Sequence, residues 1–276
     1  MLATAELRSR VERTTNISTV PHIVESLAAL MSRPSPSTAE VAEEIGKDQV
    51  LSARVLKLVN SGFCGFHKPI STIHHALVLL GLDVVRTLVM SASVIDVFEE
   101  MSRSLAGLWQ HSLATARAST AVAEKARMQN AEEFGVAGLL HDIGKLVLFE
   151  CFKAEFVEVR RLVAERDCLQ VDAEREVLGV THGEMGMWLL RKWQLPGKLI
   201  YPVGYHNNFH PKREFADRTA VVHLADIIAR ARGIGSGGDS RVPAIHPDAW
   251  TMLDLTMEDV ADVSRQLDAD MEEEMA

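Results

Sequence analysis

The stretch Val136-Ala-Gly-Leu-Leu-His141-Asp142-Ile-Gly-Lys145 places an imidazole and a carboxylate side by side within an apolar run. Such a run is expected to be buried, and burying an unpaired carboxylate costs on the order of several kcal/mol. A metal ion or a firmly held cation would offset this cost. Neighbouring positions differ by about 100° around a helix, so His141 and Asp142 could each face a different metal ion.

The periodicity of apolar residues around this stretch is typical of helices. Apolar side chains recur three and four residues apart in most segments between proline and glycine positions, as at Val41 and Ile45 or at Val55, Leu58 and Val59. This is the spacing of an amphipathic helix, whereas the alternating pattern of a half-buried strand is scarce. The sequence therefore predicts an all-α fold.

Changes in pattern along the chain predict four regions. Residues 1–15 form an N-terminal extension, and residues 16–101 form an N-terminal helical subdomain. A boundary is placed near Ser102, because in residues 102–232 the ionisable residues sit inside apolar stripes. Residues 233–276 comprise a glycine-rich linker, which starts at Gly233-Ile-Gly-Ser-Gly-Gly-Asp239, and peripheral C-terminal helices.

Within the N-terminal subdomain, Val20-Pro21 is typical of the start of a helix, and Ser37-Thr-Ala-Glu40 has the spacing of a capping box. Two short helices follow around a tight turn and resemble a helix-turn-helix. The second one, predicted over residues 49–60, carries only Arg54 and Lys57 as basic residues. We therefore interpret the pair as a packed helical subdomain and not as a DNA-binding element.

Composition excludes several functional classes. The net charge of -9 argues against a general nucleic-acid binder, because neutralising phosphates requires clustered Lys and Arg. The three cysteines, Cys64, Cys151 and Cys168, are widely spaced and indicate neither a disulfide framework nor a zinc knuckle. The N-terminus lacks the apolar segment of a signal peptide, and no run is long enough to span a bilayer. These features predict a cytoplasmic protein without nucleic-acid or membrane partners.

Four further residues have a chemistry and a position suited to metal binding. His111 borders an apolar stripe, although a lone histidine there is more often a core residue satisfied by a backbone carbonyl or water. His182 falls in the first turn of a helix, because Thr181 and Glu184 have capping-box spacing. His206 follows a short apolar helix, and Asp226 lies among aliphatic residues, where a carboxylate needs a partner.

Taken together, the candidate ligands are His111, His141, Asp142, His182, His206 and Asp226. Four imidazoles and two carboxylates suit two divalent transition-metal ions, with Fe preferred and Mn, Ni or Zn as alternatives. Lys145, one turn beyond Asp142, could pair with that carboxylate or bind a phosphate oxygen, so Asp142 and Lys145 are also candidate catalytic residues. His223 lies one turn from Asp226 and could contact a metal-ligating side chain without binding the metal itself.

The order of these residues, with Leu-Leu-His141-Asp142-Ile-Gly-Lys145 as the most specific match, resembles the HD superfamily of metal-dependent helical proteins. The N-terminal half, including Leu51-Ser-Ala-Arg-Val-Leu-Lys-Leu-Val-Asn-Ser-Gly62 and Ile70-Ser-Thr-Ile-His-His-Ala-Leu-Val-Leu-Leu-Gly81, closely resembles the HDOD family of bacterial signalling output domains. The resemblance covers roughly residues 16–230. It implies a helical HDOD fold, in which residues 102–232 would be an HD-like core.

The resemblance also implies a function. Many HDOD proteins lack parts of the HD metal site and are regarded as non-catalytic, whereas this chain keeps the full candidate set. Compared with HD-GYP proteins that hydrolyse cyclic-di-GMP, it has Asn207 in place of a second consecutive histidine and no Gly-Tyr-Pro signature after it. That difference argues against a trinuclear site and against hydrolysis of cyclic-di-GMP.

Three functions are compatible with these residues. The leading hypothesis is a signal-transduction regulator that binds a signalling protein partner or a small phosphorylated ligand. The second is a metal-dependent phosphohydrolase acting on a nucleotide or another phosphoester, in which a metal-activated water would attack phosphorus. The third is a dinuclear iron oxygenase, which uses the same ligand set.

Overall fold

The computed structural model describes residues 4–13, 26, 30, 37–60, 70–93 and 107–275. Within these ranges every regular element is a helix, so the predicted all-α class is confirmed. The predicted helix start at Val20-Pro21 and the predicted boundary at Ser102 lie outside the described residues. The four predicted regions stay a prediction.

The helices of the N-terminal half are α1 (Thr4–Arg13), α2 (Thr38–Gly46), α3 (Gln49–Val59) and α4 (Ile73–Ser93). The predicted capping box of α2 is present, because the Ser37 side chain accepts from the Glu40 amide and the Glu40 carboxylate accepts from the Ser37 amide. Helices α2 and α3 both pack against α4 and bury Ile45 and Val55 completely. This contact fits the packed subdomain inferred from their sequence.

Helix α4, at 21 residues, is interrupted at Gly81, where φ is 79° and ψ is 168°. Glycine suits this left-handed conformation because it lacks a Cβ atom. Among the described residues, no helix combines the length and apolarity needed to cross a bilayer.

The helices of the C-terminal half are α5 (Leu108–Lys125), α6 (Ala131–Leu140), α7 (Ile143–Cys151), α8 (Lys153–Arg166), α9 (Gln170–Leu178), α10 (His182–Lys192), α11 (Gly197–Tyr205), α12 (Ala216–Ala231), α13 (Pro247–Leu253) and α14 (Met257–Met275). Helix α5 packs against α6, α12 and α14, whereas α10 packs against α7 and α11. Together these contacts bring helix ends from distant parts of the sequence to one place.

The apolar core has two parts. One runs from the N-terminal helices through α6 to α11, and the other joins α5 and α12 to α13 and α14. Leu253, Val263 and Leu267 of the last two helices are at most 3 % exposed. The C-terminal helices, expected to be peripheral, therefore also contribute to the core.

Candidate metal centre

The structure brings all six candidate ligands together in the interior. His111 comes from α5 and Asp226 from α12, while His141 and Asp142 form the turn between α6 and α7. His182 is the first residue of α10, where the predicted capping box of Thr181 and Glu184 is present, and His206 directly follows α11. Each of the six residues is at most 3 % exposed.

Asp142 lies between two pairs of histidines. Its Oδ2 is 3.7 Å from His111 Nε2 and 3.3 Å from His141 Nε2. Its Oδ1 is 3.1 Å from His182 Nε2 and 3.9 Å from His206 Nε2. Asp226 joins the first pair, since its Oδ1 is 3.0 Å from His111 Nε2 and 3.8 Å from His141 Nε2. One carboxylate thus faces both halves of the cluster.

Backbone and carboxylate acceptors determine which nitrogen of three imidazoles carries the proton. His141 Nδ1 lies 2.6 Å from the Gly138 carbonyl, and His206 Nδ1 lies 2.9 Å from the Val203 carbonyl. His182 Nδ1 lies 2.7 Å from a Glu174 carboxylate oxygen. Because each Nδ1 faces an acceptor, it donates its hydrogen, which leaves Nε2 of the neutral ring as an acceptor that can bind a metal.

The Nε2 atoms of all four histidines converge on one another and on the carboxylates, which is the arrangement expected of a metal site. The Nε2 atoms of His111 and His141 are 3.2 Å apart, and those of His182 and His206 are 3.4 Å apart. The buried Asp142 Oδ1 has no partner with hydrogen-bond geometry despite its 3.1 Å approach to His182. A cation would satisfy these acceptors, so the residues fit a divalent metal.

Atoms close enough to share one ion occur in two overlapping sets, the first being His111, His141 and Asp226 and the second His141, Asp142 and His206. Imidazole and carboxylate ligands suit Fe, Mn, Ni and Zn alike. The buried cluster therefore indicates a divalent metal site.

Electrostatics favour the metal-binding protonation states of Asp142, Asp226 and His206. Burial would raise the pKa of Asp142, but His141 and Lys145 hold that pKa well below its usual range. Burial would likewise raise the pKa of Asp226, which Arg230 and His111 lower instead. Burial lowers the pKa of His206 well below its ordinary value, and nearby histidines add to the effect. Anionic carboxylates and neutral imidazoles are the forms that bind a metal.

Lys145 is completely buried and pairs with Asp142. Its Nζ is 2.5 Å from Asp142 Oδ2 and also donates to the Gly237 carbonyl. Of the two roles open to Lys145 from sequence, the structure shows the pairing with the carboxylate. Its contact with a phosphate oxygen stays a prediction.

Sequence reasoning missed Glu174, which contacts a candidate ligand, and Gln170, which contacts Glu174. Glu174, completely buried on α9, accepts from both the backbone amide and Nδ1 of His182, each at 2.7 Å. Gln170 Nε2 donates to the other Glu174 oxygen at 2.7 Å. Glu174 sits in the polar stretch Val-Asp-Ala-Glu-Arg-Glu, where its spacing to other acidic residues resembles that of a solvated helix face. Only tertiary packing distinguishes it.

Sequence reasoning also did not identify Arg230, which contacts Asp226, or Asp239, which contacts Arg230. Arg230 Nε is 3.0 Å from Asp226 Oδ1, and its Nη1 is 3.0 Å from Asp239 Oδ1. The glycine-rich segment that contains Asp239 was expected to be a flexible linker, yet the structure packs it against the centre through Gly237 and Lys145. Its glycines permit this close approach to the ligand helices, whereas sequence alone indicated only backbone freedom.

Two neighbours complete the environment of His206. His223 Nδ1 donates to the His206 carbonyl at 2.7 Å, and its Nε2 accepts from the His246 amide at 3.0 Å. Both nitrogens of His223 are thus occupied outside the cluster. Asn207 Nδ2 lies 2.6 Å from His206 Nε2 and 3.0 Å from His182 Nε2.

Comparison with known proteins agrees with this architecture. A solved HDOD domain protein from Geobacter sulfurreducens is 31 % identical with a TM-score of 0.69, covering 92 % of this chain and 89 % of that one. A candidate phosphohydrolase from Shewanella amazonensis SB2B shares the fold at 22 % identity and a TM-score of 0.69, covering 96 % of this chain and 94 % of that one. An uncharacterized protein from Treponema pallidum (strain Nichols) is 24 % identical over 225 residues. That match covers 80 % of this chain but only 44 % of the relative's length.

The family relationship follows from the sequence as well as from the fold. Residues 17–209 match the HDOD domain family, which is well over half of the chain. The resemblance inferred from the N-terminal motifs and the His141-Asp142 stretch is therefore confirmed. The chain belongs to the HDOD domain family.

Proposed function

We propose that this chain is a regulatory protein of bacterial signal transduction whose HDOD domain holds two divalent transition-metal ions. The observation that carries the proposal is the position of Asp142, whose two oxygens face different pairs of histidines. One ion would be held by His111, His141 and Asp226, the other by His182 and His206, with Asp142 shared between them.

A regulatory or structural role for the metals is supported by their environment. The ligands are at most 3 % exposed, and Lys145 is already engaged by Asp142 and by the Gly237 carbonyl. A site arranged in this way retains its metals more readily than it admits a large substrate. The proposed partner is a signalling protein or a small phosphorylated ligand that binds the domain and responds to its metal-loaded state.

A second candidate function is metal-dependent hydrolysis of a phosphoester. It is favoured by the amine of Lys145 beside Asp142 and by a cavity of about 120 Å³ that reaches His111. Bound metals would supply Lewis acidity and a water of lowered pKa. In this role Lys145, freed from Gly237, would bind a phosphate oxygen and Asp142 would orient the ligand set.

Metal analysis tests the shared premise. After expression in metal-replete medium, the purified protein is expected to carry about two transition-metal ions per chain, because the cluster offers two sets of N and O ligands. Asp142→Ala should lose most of this metal, whereas the control Asp172→Ala, on the exposed side of α9, should retain it. A metal-free wild-type protein would contradict the proposal, and a single tightly held ion would contradict its dinuclear form.

A substrate screen separates the two functions. The metal-loaded protein is incubated with nucleotides, cyclic dinucleotides and a generic phosphoester. Absence of turnover, with Asp142→Ala changing only metal content and stability, supports the regulatory role. Turnover that Asp142→Ala abolishes and Asp172→Ala preserves supports the phosphohydrolase.

A further inference from the structure

We propose that residues 233–241, here called the strap, form a lid over the metal centre and control the passage of metal ions and ligands to it. This inference rests on the metal site proposed above and adds the means by which access to it is regulated. The strap follows α12 directly and contains no regular secondary structure.

The strap lies against the first turn of the helix that carries His111. The Ser236 amide donates to the Gly107 carbonyl at 3.1 Å, and that same carbonyl accepts from the His111 amide at 2.9 Å. A Cβ atom added to Gly235 would lie 2.4 Å from the His111 backbone nitrogen and 2.3 Å from the Gly107 oxygen. The strap therefore approaches the ligand helix as closely as backbone atoms allow.

Polar ties hold the strap in this position, and two of them involve residues that also contact metal ligands. Lys145 donates both to the Gly237 carbonyl and to Asp142. Arg230 bridges Asp239 of the strap to Asp226, with both distances at 3.0 Å. Lifting the strap would thus remove one partner of the Lys145 amine and one partner of the Arg230 guanidinium, and an anionic ligand could replace those partners.

A third tie connects the strap to the opposite side of the cluster. Asp239 Oδ2 accepts from the Gln170 amide at 2.9 Å, and the Gln170 side chain holds Glu174, which in turn holds His182. Arg160 adds a hydrogen bond to the Gly238 carbonyl. The amides of Gly233 and Ile234 bond to the end of α12, and the rest of the strap is held by side chains and by the Ser236 amide at Gly107. That part can therefore separate from the core without unfolding a helix.

The space beneath the strap is small. The cavity lined by His111, Arg230 and the strap measures about 120 Å³. A single water needs at least about 10–15 Å³ of such space, so the cavity holds several waters. An ion or a water fits in this cavity, whereas a nucleotide-sized ligand would have to displace the strap to enter it.

Two glycines of the strap offer a closely matched test. Gly233 and Gly235 have the same φ of +66°, so alanine introduces the same backbone strain at either position. A Cβ atom at Gly233 meets nothing within 4 Å, whereas at Gly235 it collides with the start of α5. Gly235→Ala should therefore push the strap off the centre, and Gly233→Ala serves as its control.

The measurement is the rate at which Zn²⁺-loaded protein gives up its metal to a chromogenic chelator, together with hydrogen exchange of the amides of residues 234–241. Gly235→Ala is expected to accelerate both by about tenfold or more relative to Gly233→Ala, because local opening becomes easier. Equal release and exchange rates in the two variants would overturn the lid. A wild-type protein that takes up no Zn²⁺ would instead contradict the proposed metal site.

A second pair of variants tests the lid in case Gly235→Ala does not fold. Asp239→Asn removes the charge that pairs the strap with Arg230. As a control, Asp268→Asn removes the charge of an exposed ion pair with Arg232 outside the strap. Faster metal release in Asp239→Asn alone supports the lid. Wild-type rates in both variants would refute it.

Discussion

Glu174 fixes the orientation and the protonated nitrogen of His182, a candidate metal ligand. Its carboxylate accepts from the His182 backbone amide and from Nδ1, which fixes both the ring orientation and the nitrogen that carries the proton. Burial would lower the pKa of His182, but the carboxylates of Glu174 and Asp142 together raise that pKa above its ordinary value. An anionic acceptor also makes the imidazole a more basic ligand.

Replacing Glu174 by glutamine is expected to weaken metal binding. Glu174→Gln keeps the size of the side chain but removes its charge, and loss of such a supporting contact typically reduces metal affinity by about 10–100-fold. Zn²⁺ affinity is measured by competition with a chelator of known strength. Glu176→Gln, on the same helix in an exposed pair with Arg166, should leave the affinity within about twofold. Similar affinities for both variants would show that Glu174 has no role in holding His182.

Among the helices, the approach of α7 to α10 places Asp142 beside His182. The two helices meet at Gly144, where an added Cβ atom would lie 1.7 Å from the His182 carbonyl oxygen. No side chain fits in this space without moving one of the backbones. The close approach of His141 and Asp142 to the start of α10 therefore depends on glycine at position 144.

Gly144→Ala should accordingly destabilise the protein and disturb the metal site. Overpacking a tight interior contact costs about 1–3 kcal/mol, and a backbone clash lies at the upper end of that range or beyond it. Denaturant unfolding measures the loss, and chelator competition measures the accompanying fall in Zn²⁺ affinity.

The matched control is Gly46→Ala at the end of α2, where a Cβ atom meets nothing within 4 Å. It should change the free energy of unfolding by no more than about 0.5–1 kcal/mol, because it introduces no clash. If Gly144→Ala lowered the free energy of unfolding no more than this control, that result would contradict a tight contact between α7 and α10 at Gly144.

For the molecule as a whole, the metal centre links helices that are distant in sequence. Its candidate ligands extend from His111 on α5 to Asp226 on α12. An ion that binds only the folded arrangement stabilises that arrangement by mass action. We therefore expect metal binding and global stability to be coupled.

Removing the metal should lower the melting temperature. At a free Zn²⁺ concentration of 100 times Kd, binding at each site adds about 2.7 kcal/mol, which for a chain of this size is roughly 5–10 °C in Tm per site. Thermal unfolding with and without Zn²⁺ checks the shift. Asp226→Ala should abolish it, whereas His210→Ala, at an exposed position, should preserve it. A Tm independent of Zn²⁺ in the wild-type protein would contradict metal binding by the native state.

Residue pattern was sufficient for the helical class, the family and the six candidate ligands. Helical periodicity is local, and the capping boxes at Ser37 and Thr181 involve residues only three positions apart. A carboxylate such as Asp226 among aliphatic neighbours is expected to be buried, and a buried carboxylate needs a partner. These features depend on residues within a few helical turns of one another, so they can be predicted from the sequence without knowledge of the tertiary structure.

Tertiary structure alone decided how those ligands are supported and covered. Glu174, Arg230 and Asp239 act on the centre through contacts between separate segments, and Glu174 sits in a polar stretch that resembles a solvated surface. The glycines after α12 indicated backbone freedom, but only packing showed that this freedom lets residues 233–241 lie against α5 and Lys145. Sequence determines which residues prefer helices and burial, whereas close packing determines which of them meet.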